Sequence, residues 1–356
     1  MSDNAIQRIT LLSFRTFGDY VLKAPFLFEL NRRYPNAAVT MITNRKGGQV
    51  YPLVDSRLKL VVVDHGDRML PIFRKLRRLE AADLVIALDD SRTTLILSLV
   101  VRGKRKTGWV QGISLLYAEG GFFAWKSVQP WLSKLVKAVY RPGRIRQPED
   151  KYDGDVELEL LDLWGQHQPL ASYRGKYAAL PAMRPAMRPA AQTEQPYIYC
   201  AAEAGWRARQ LTDEQWAGIL RGLLQAFPQH TIVVHGAAAA VEEFGPEPRV
   251  VSYGQKSVVE LFEKISAAAL VIAPDSFALH LASFYDVPAI GYFGPAHPHR
   301  FRPSGPGSIS LFHQPECSPC LQLRGNAPCR KGLSQCSSLA AMQPSEFITA
   351  AKAVLA

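Results

Sequence analysis

What the sequence lacks narrows its class first. No apolar run approaches the roughly 20 residues a helix needs to cross a bilayer, and the opening stretch carries Asp3 and Arg8 where a secretion signal would be apolar. A cytoplasmic protein is therefore expected. Charged residues make up 21 % of the chain and hydrophobic ones 47 %, which excludes disordered and fibrous classes. Cysteine is scarce, five in 356 residues. That length suggests about two domains at the usual figure of roughly 150 residues each.

Acid is nearly missing from one stretch. The whole chain balances 42 Lys and Arg against 31 Asp and Glu for a net +11. Between Arg102 and Arg146, however, ten basic residues face a lone acid, Glu119, for a local +9. Such a patch attracts anions: nucleic acid, anionic lipid head groups or a phosphorylated glycolipid. Trp125, Trp131, Leu132, Leu135, Val136 and Val139 interleave with the lysines at helical spacing, as in a basic amphipathic helix on a membrane surface. The alternative is a solvated face that only confers solubility.

What is present alternates between two periods. Ile9 to Ser13, Ala38 to Thr43, Val61 to Val63 and Leu84 to Leu88 read as buried strands, with helical patterns at Val21 to Tyr34 and Arg74 to Leu79. Apolar strands separated by helices predict a parallel sheet covered on both faces, a doubly wound α/β domain. From Pro181 to Pro196 a twofold Ala-Met-Arg-Pro repeat intervenes, and its prolines predict an extended linker. The alternation then restarts: Tyr197 to Cys200, Asp213 to Phe227, Thr231 to Val234, Val258 to Ala268, Leu270 to Ala273, Ala278 to Phe284 and Ala289 to Phe293. Thr212 and Gln215 form a plausible capping box for the first of these helices. The expected layout is an N-terminal domain over 1–180, the linker over 181–196, a second α/β domain over 197–343 and a terminal helix over 344–356.

Two turns could carry chemistry. Asp275, Ser276 and His280 follow a strand and open a helix, at the carboxyl end of a parallel sheet, where free N–H groups and the positive helix end suit a diphosphate. His280, one helical turn after Ser276, shares its face. Equally, Asp275 or Ser276 is a helix cap and His280 an interior histidine. In the first half, Gly18 and Asp19 hold the corresponding place: glycine for a tight turn, and a carboxylate able to take a proton from an attacking hydroxyl, or again a cap. Arg92 and the cluster Arg102, Lys104, Arg105 and Lys106 are candidates for an anionic substrate, since arginine pairs bidentately with phosphate or carboxylate. Cys317, Cys320, Cys329 and Cys336 read as a structural zinc or iron knuckle, as free thiols or as disulfides; Cys200 reads as core. His297, His299 and His313 stand near that cluster in sequence.

The residues together resemble glycosyltransferase family 9, the lipopolysaccharide heptosyltransferase family. The first pattern reads Gly18-Asp19-Tyr20-Val21-Leu22-Lys23-Ala24-Pro25. The second reads Asp275-Ser276-Phe277-Ala278-Leu279-His280-Leu281-Ala282, followed by Val287-Pro288 and Phe293-Gly294-Pro295. The resemblance implies a GT-B fold, two Rossmann-like domains facing a cleft, and metal-independent inverting transfer of a sugar from a nucleotide donor. By the same resemblance Asp19 is the general base, Ser276 and His280 hold the donor diphosphate, Asp275 lies near the donor sugar, and Arg209 takes the place of a phosphate-neutralising lysine. Related heptosyltransferases hold iron with a similar cysteine cluster. Phe277 stands where the family has glycine, the loop Ala201 to Trp206 offers Glu203 in place of small hydroxyls, and Ala237 and Ala238 replace an acid beside the ribose. The function implied is heptose transfer from ADP-heptose to an envelope glycolipid at the inner membrane face, with no cofactor needed for catalysis. The alternatives are heptose transfer to a protein, another nucleotide sugar, or a noncatalytic anion- or nucleic-acid-binding module. Nucleic acid is the less expected partner.

Overall fold

A computed structural model describes residues 6–64, 69–89, 91–108, 195–317, 329 and 331–356. The chain divides into two compact units, one holding the described residues up to 108 and the other those from 195 onward. The linker repeat, save Gln195 and Pro196, and the expected amphipathic helix at 125–139 lie outside the described residues.

In the first unit the elements are β1 (Arg8–Ser13), α1 (Phe17–Leu22), α2 (Ala24–Arg33), β2 (Ala38–Thr43), α3 (Arg45–Val54), β3 (Lys59–Val62), α4 (Met69–Arg77), β4 (Ala82–Ala87), α5 (Arg92–Val100) and β5 (Gly103–Gly108). All strand pairs are parallel, in the order β3-β2-β1-β4-β5. β1 and β4 are buried almost end to end, as their predominantly apolar sequences require in a sheet covered on both faces. The helix expected over Val21 to Tyr34 is two helices that break at Lys23, because Pro25 has no N–H to continue the first and suits the opening turn of the second. Gly18 sits inside the first turn of α1 and has no positive φ, so Thr16 as N-cap, and not a glycine turn, closes the loop.

The second unit contains β6 (Tyr197–Ala201), a 3-10 turn (Arg207–Arg209), α6 (Asp213–Ala226), β7 (Thr231–His235), α7 (Ala238–Glu242), β8 (Val250–Ser252), α8 (Val258–Ser266), β9 (Leu270–Pro274), α9 (Phe277–Phe284), β10 (Ala289–Phe293), α10 (Pro298–Phe301), β11 (Ile309–Phe312), α11 (Ser337–Ala340) and α12 (Pro344–Leu355). Its parallel sheet runs β8-β7-β6-β9-β10-β11. Taken from its own first strand, this is the 3-2-1-4-5 order of the first unit with a sixth strand added. The capping box of α6 is present: Thr212 Oγ1 accepts from Gln215 N–H and Gln215 Oε1 from Thr212 N–H. Trp216, Ile219, Leu220, Leu223 and Leu224 form its buried stripe. α12 packs on this helix within the same unit. There a Cβ on Gly218 would come within 2.7 Å of Pro344 and one on Gly222 within 2.7 Å of Ile348, so both glycines are needed for the close approach.

Candidate functional site

In a doubly wound sheet, ligands gather at the carboxyl ends of the two strands where the strand order reverses. Those are β1 and β4 in the first unit and β6 and β9 in the second.

In the second unit the chain leaves β9 at Asp275 and leaves β6 toward Arg209. Asp275 is 3 % exposed and His280 5 %. Arg209 Nη1 donates to the Asp275 carbonyl at 3.0 Å and lies 3.1 Å from Asp275 Oδ2, while His280 Nε2 lies 3.5 Å from Asp275 Oδ1. The Arg209 guanidinium also sits over the Trp206 ring, 5.8 Å from its centroid. One carboxylate thus orients both side chains. The remaining atoms are informative: Arg209 Nε, Ser276 Oγ and His280 Nδ1 are buried with no hydrogen-bond partner, and Asp275 Oδ2, 3.1 Å from Arg209 Nη1, accepts no hydrogen bond either. Leaving a buried polar atom unpaired costs about 1–3 kcal/mol. Arg209 Nε is a donor, Ser276 Oγ and His280 Nδ1 can donate or accept, and the N-terminus of the eight-residue α9 lies beside them, so the cluster offers polar atoms to a ligand.

Of the residues expected to bind donor here, Arg209, Asp275, Ser276 and His280 come together. Phe277 opens α9 and packs on Phe262 of α8, with ring centroids 5.8 Å apart. At the end of β7, Gly236 has φ +86° and Ala237 the left-handed φ +49°; a Cβ on Gly236 would meet the Glu203 side chain at 2.5 Å. His297 and His299 stack at 4.3 Å, and His313 Nε2 pairs with Glu346 Oε2 at 2.8 Å.

In the first unit Asp19 is the third residue of α1 and half-buried. Its Oδ2 accepts from Thr16 N–H (3.1 Å) and from Thr16 Oγ1–H (2.8 Å), the capping-box geometry, while Oδ1 has no partner among the described residues. The cap and an available carboxylate oxygen therefore coexist. Asp89, 4 % exposed at the end of β4, is a residue that sequence reasoning missed. Burial pushes its pKa up, but Arg15, Lys23, Thr94 and the Phe14 N–H outweigh that and hold the carboxyl below its ordinary value. The only sequence signal was an acid directly after an apolar strand.

The expected acceptor cluster is placed elsewhere. Arg102, Lys104 and Arg105 stand at the amino end of β5, opposite to the end of the sheet that carries Asp19. Arg102 Nη2 donates to the Leu79 carbonyl at 2.7 Å and Lys104 Nζ pairs with Asp83 Oδ1 at 2.8 Å. Lys106 Nζ reaches the Ser98 carbonyl at 2.9 Å. Arg92 begins α5, at the carboxyl end of the sheet; its side chain lies outside the described residues.

Of the expected cysteine knuckle, Cys317 and Cys329 lie near Cys336, whose thiol is pushed up by burial and then by those two neighbours. Among the described residues no three His, Cys, Asp or Glu side chains group to hold a metal; Cys320 lies outside them. Cys336 is buried and packs against Gly294, where a Cβ would lie 3.2 Å from its sulfur. Cys200 is buried in the core, where burial pushes its thiol up.

Two doubly wound domains, one with a cluster of buried polar atoms at its switch point, define a two-domain α/β protein. Comparison with known proteins sharpens this. The sequence profile of glycosyltransferase family 9 (heptosyltransferase) matches residues 69–329, and the chain belongs to that family. Its fold is similar to that of E. coli ADP-heptose LPS heptosyltransferase II, with TM-score 0.68, 15 % identity and 98 % of each chain covered. It is also similar to the E. coli heptosyltransferase WaaC with ADP, with TM-score 0.66, 15 % identity, and 98 % of this chain and 100 % of that one covered. The architecture is thus GT-B, two Rossmann-like domains. A Haemophilus influenzae protein provisionally described as a glycosyltransferase is 26 % identical over 116 residues, 30 % of this chain; the match spans about a third (34 %) of that relative's length.

Proposed function

We propose that the chain transfers a sugar from a nucleoside-diphosphate donor, most specifically heptose from ADP-heptose, to a hydroxyl of an envelope glycolipid such as the lipopolysaccharide core. The observation that carries this is the set of buried, unpartnered atoms Arg209 Nε, Ser276 Oγ and His280 Nδ1, with the Arg209 charge held beside them by Asp275, groups that a diphosphate could pair. ADP or ADP-heptose is what the two similar heptosyltransferases name.

In this reading Asp19 Oδ1 takes the proton from the acceptor hydroxyl as that oxygen bonds to the anomeric carbon, and the bond from that carbon to the phosphate oxygen breaks. The departing diphosphate carries the charge, which Arg209 and His280 meet, so catalysis needs no metal. Arginine at 209 is a planar fork, and Asp275 fixes its plane. Positioned base catalysis of this kind is typically worth about 10²- to 10⁴-fold. Asp275, expected near the donor sugar, serves here first to orient Arg209 and His280.

For the acceptor the reading keeps Arg92 and sets aside Arg102, Lys104 and Arg105, which lie at the far end of their sheet. Peripheral contact with the inner membrane face is supported by α4, which exposes Arg74, Lys75 and Arg77 and leaves Leu70 60 % exposed.

The test is calorimetric titration with ADP, UDP, GDP and CDP, followed by transfer of labelled heptose from ADP-heptose to isolated lipopolysaccharide core. Preferential ADP binding and labelled product are expected. Binding of a different nucleotide would replace the donor, and binding of none would remove the diphosphate site.

A further inference from the structure

The loop between β1 and α1 carries Asp19, and three successive amides of that loop are each held by a side chain. Phe14 N–H donates to Asp89 Oδ2 at 2.6 Å, Arg15 N–H to the Tyr20 hydroxyl at 2.7 Å, and Thr16 N–H to Asp19 Oδ2 at 3.1 Å. The Tyr20 hydroxyl is itself fixed 2.9 Å from Asn44 Oδ1. The first anchor comes from the other strand of the switch point. Asp89 uses its second oxygen, Oδ1, to accept from Ser91 N–H (3.0 Å) and Thr94 Oγ1–H (2.6 Å) at the start of α5. Asp89 therefore staples the carboxyl end of β4 and the first turn of α5 to the loop after β1. Lys23, one helical turn beyond Asp19 and 2 % exposed, donates to the Leu88 carbonyl at 3.3 Å beneath it. A buried carboxylate is costly unless paired and hydrogen-bonded; its place here, with every bond directed at the two segments flanking the Asp19 loop, calls for a reason beyond packing.

We propose that Asp89 is a positioning residue for Asp19: by holding Phe14 N–H it fixes Thr16, whose amide and hydroxyl hold Asp19 Oδ2 and leave Oδ1 to accept a proton. This rests on Asp19 as the base. Asp89 touches no substrate. It acts through loop geometry, and a misplacement of about 1 Å in such a group costs roughly 10²-fold.

The experiment compares wild type, Asp89→Asn and Asp19→Asn in three readouts: amide hydrogen exchange at Phe14 and Thr16, ADP affinity by calorimetry, and kcat with ADP-heptose and lipopolysaccharide core. Asp89→Asn is expected to speed exchange at both amides at least tenfold, to leave ADP affinity within twofold, and to lower kcat about 10- to 100-fold. Unchanged Thr16 exchange, or wild-type kcat in folded Asp89→Asn, overturns the proposal. Full turnover in Asp19→Asn overturns instead the reading of Asp19 as base, while the exchange result still reports whether Asp89 holds the loop. If Asp89→Asn does not fold, Thr94→Val removes one anchor of Asp89 and carries the same test, with smaller changes in the same direction.

Discussion

The two switch points have the same strand order and opposite chemistry. In the first unit the loop amides at 14, 15 and 16 are all taken by the chain's own side chains, and the principal unpaired group is a half-buried carboxylate oxygen. One hydroxyl, Ser13 Oγ, is also buried there without a partner. In the second unit Asp275 holds the Arg209 and His280 side chains, and four atoms, one each on Arg209, Asp275, Ser276 and His280, are left without hydrogen-bond partners. A self-satisfied loop holds a reactive group still, whereas an unsatisfied pocket is completed by a ligand. The fold repeats, and the hydrogen-bond inventory divides the labour.

The largest effect expected from breaking this comparison is on the carboxylate. Asp19→Asn should lower kcat by about 10²- to 10⁴-fold, measured by product formation at saturating donor. Next comes Arg209→Ala. Removing a charged donor should weaken ADP by roughly 10- to 100-fold, from about 1.5–3 kcal/mol per charged hydrogen bond. It should also destabilise the second unit, because Asp275 loses its charge partner while buried. Arg209→Lys should recover the melting temperature in part and ADP affinity less, since a point charge cannot reproduce the fork. Equal recovery of both would show that charge alone matters.

Acidification should separate the units. Burial lowers the pKa of His230 and His235, and burial followed by the His299 charge lowers that of His297. The unfolded chain therefore binds more protons than the folded one once pH drops below about 6.5, and the second unit loses stability from there downward. In the first unit Lys104, with the Gln7 and Arg8 N–H groups, holds Asp83 at about 2, and Asp89 is also lowered. Those contributions are fully present above about pH 4 and are lost only as pH falls through the lowered folded values. Hydrogen exchange of both units from pH 7 to 3 should show the second unit softening first; the reverse order would contradict the assignment. The smallest effect on turnover belongs to Lys104→Met: Lys104 is 67 % exposed, but its partner Asp83 is 9 % exposed and keeps only the Gln7 and Arg8 N–H bonds without it, so stability should fall by roughly 1–3 kcal/mol while turnover holds. A fall in turnover would return Lys104 to the acceptor site.

Much of the fold was legible because buried parallel strands announce themselves. Ala38–Thr43, Ala289–Phe293 and Pro344–Leu355 carry the ends the pattern predicts, since each is bounded by a turn or a cap. β5 was missed: Gly103–Gly108, with three consecutive basic residues, has no apolar run, and it is a strand because β4 lends it a ladder. Reading it as a binding patch overlooked that Lys104 finds Asp83 across that ladder and Arg102 the Leu79 carbonyl before it. Spacing placed Ser276 and His280 one turn apart behind a strand but equally allowed a cap and an interior histidine; the family resemblance singled them out together with Arg209, which the structure brings against Asp275. Asp89 was not, because its three hydrogen bonds reach residue 14 and residues 91 and 94, a convergence that exists only after β1 and β4 pair.

The most direct test of the division of labour is ADP titration by calorimetry of His280→Ala beside Asp19→Asn. The account predicts that His280→Ala weakens ADP by about tenfold or more while Asp19→Asn stays within twofold of wild type. Loss of ADP binding in Asp19→Asn with wild-type affinity in His280→Ala would contradict it.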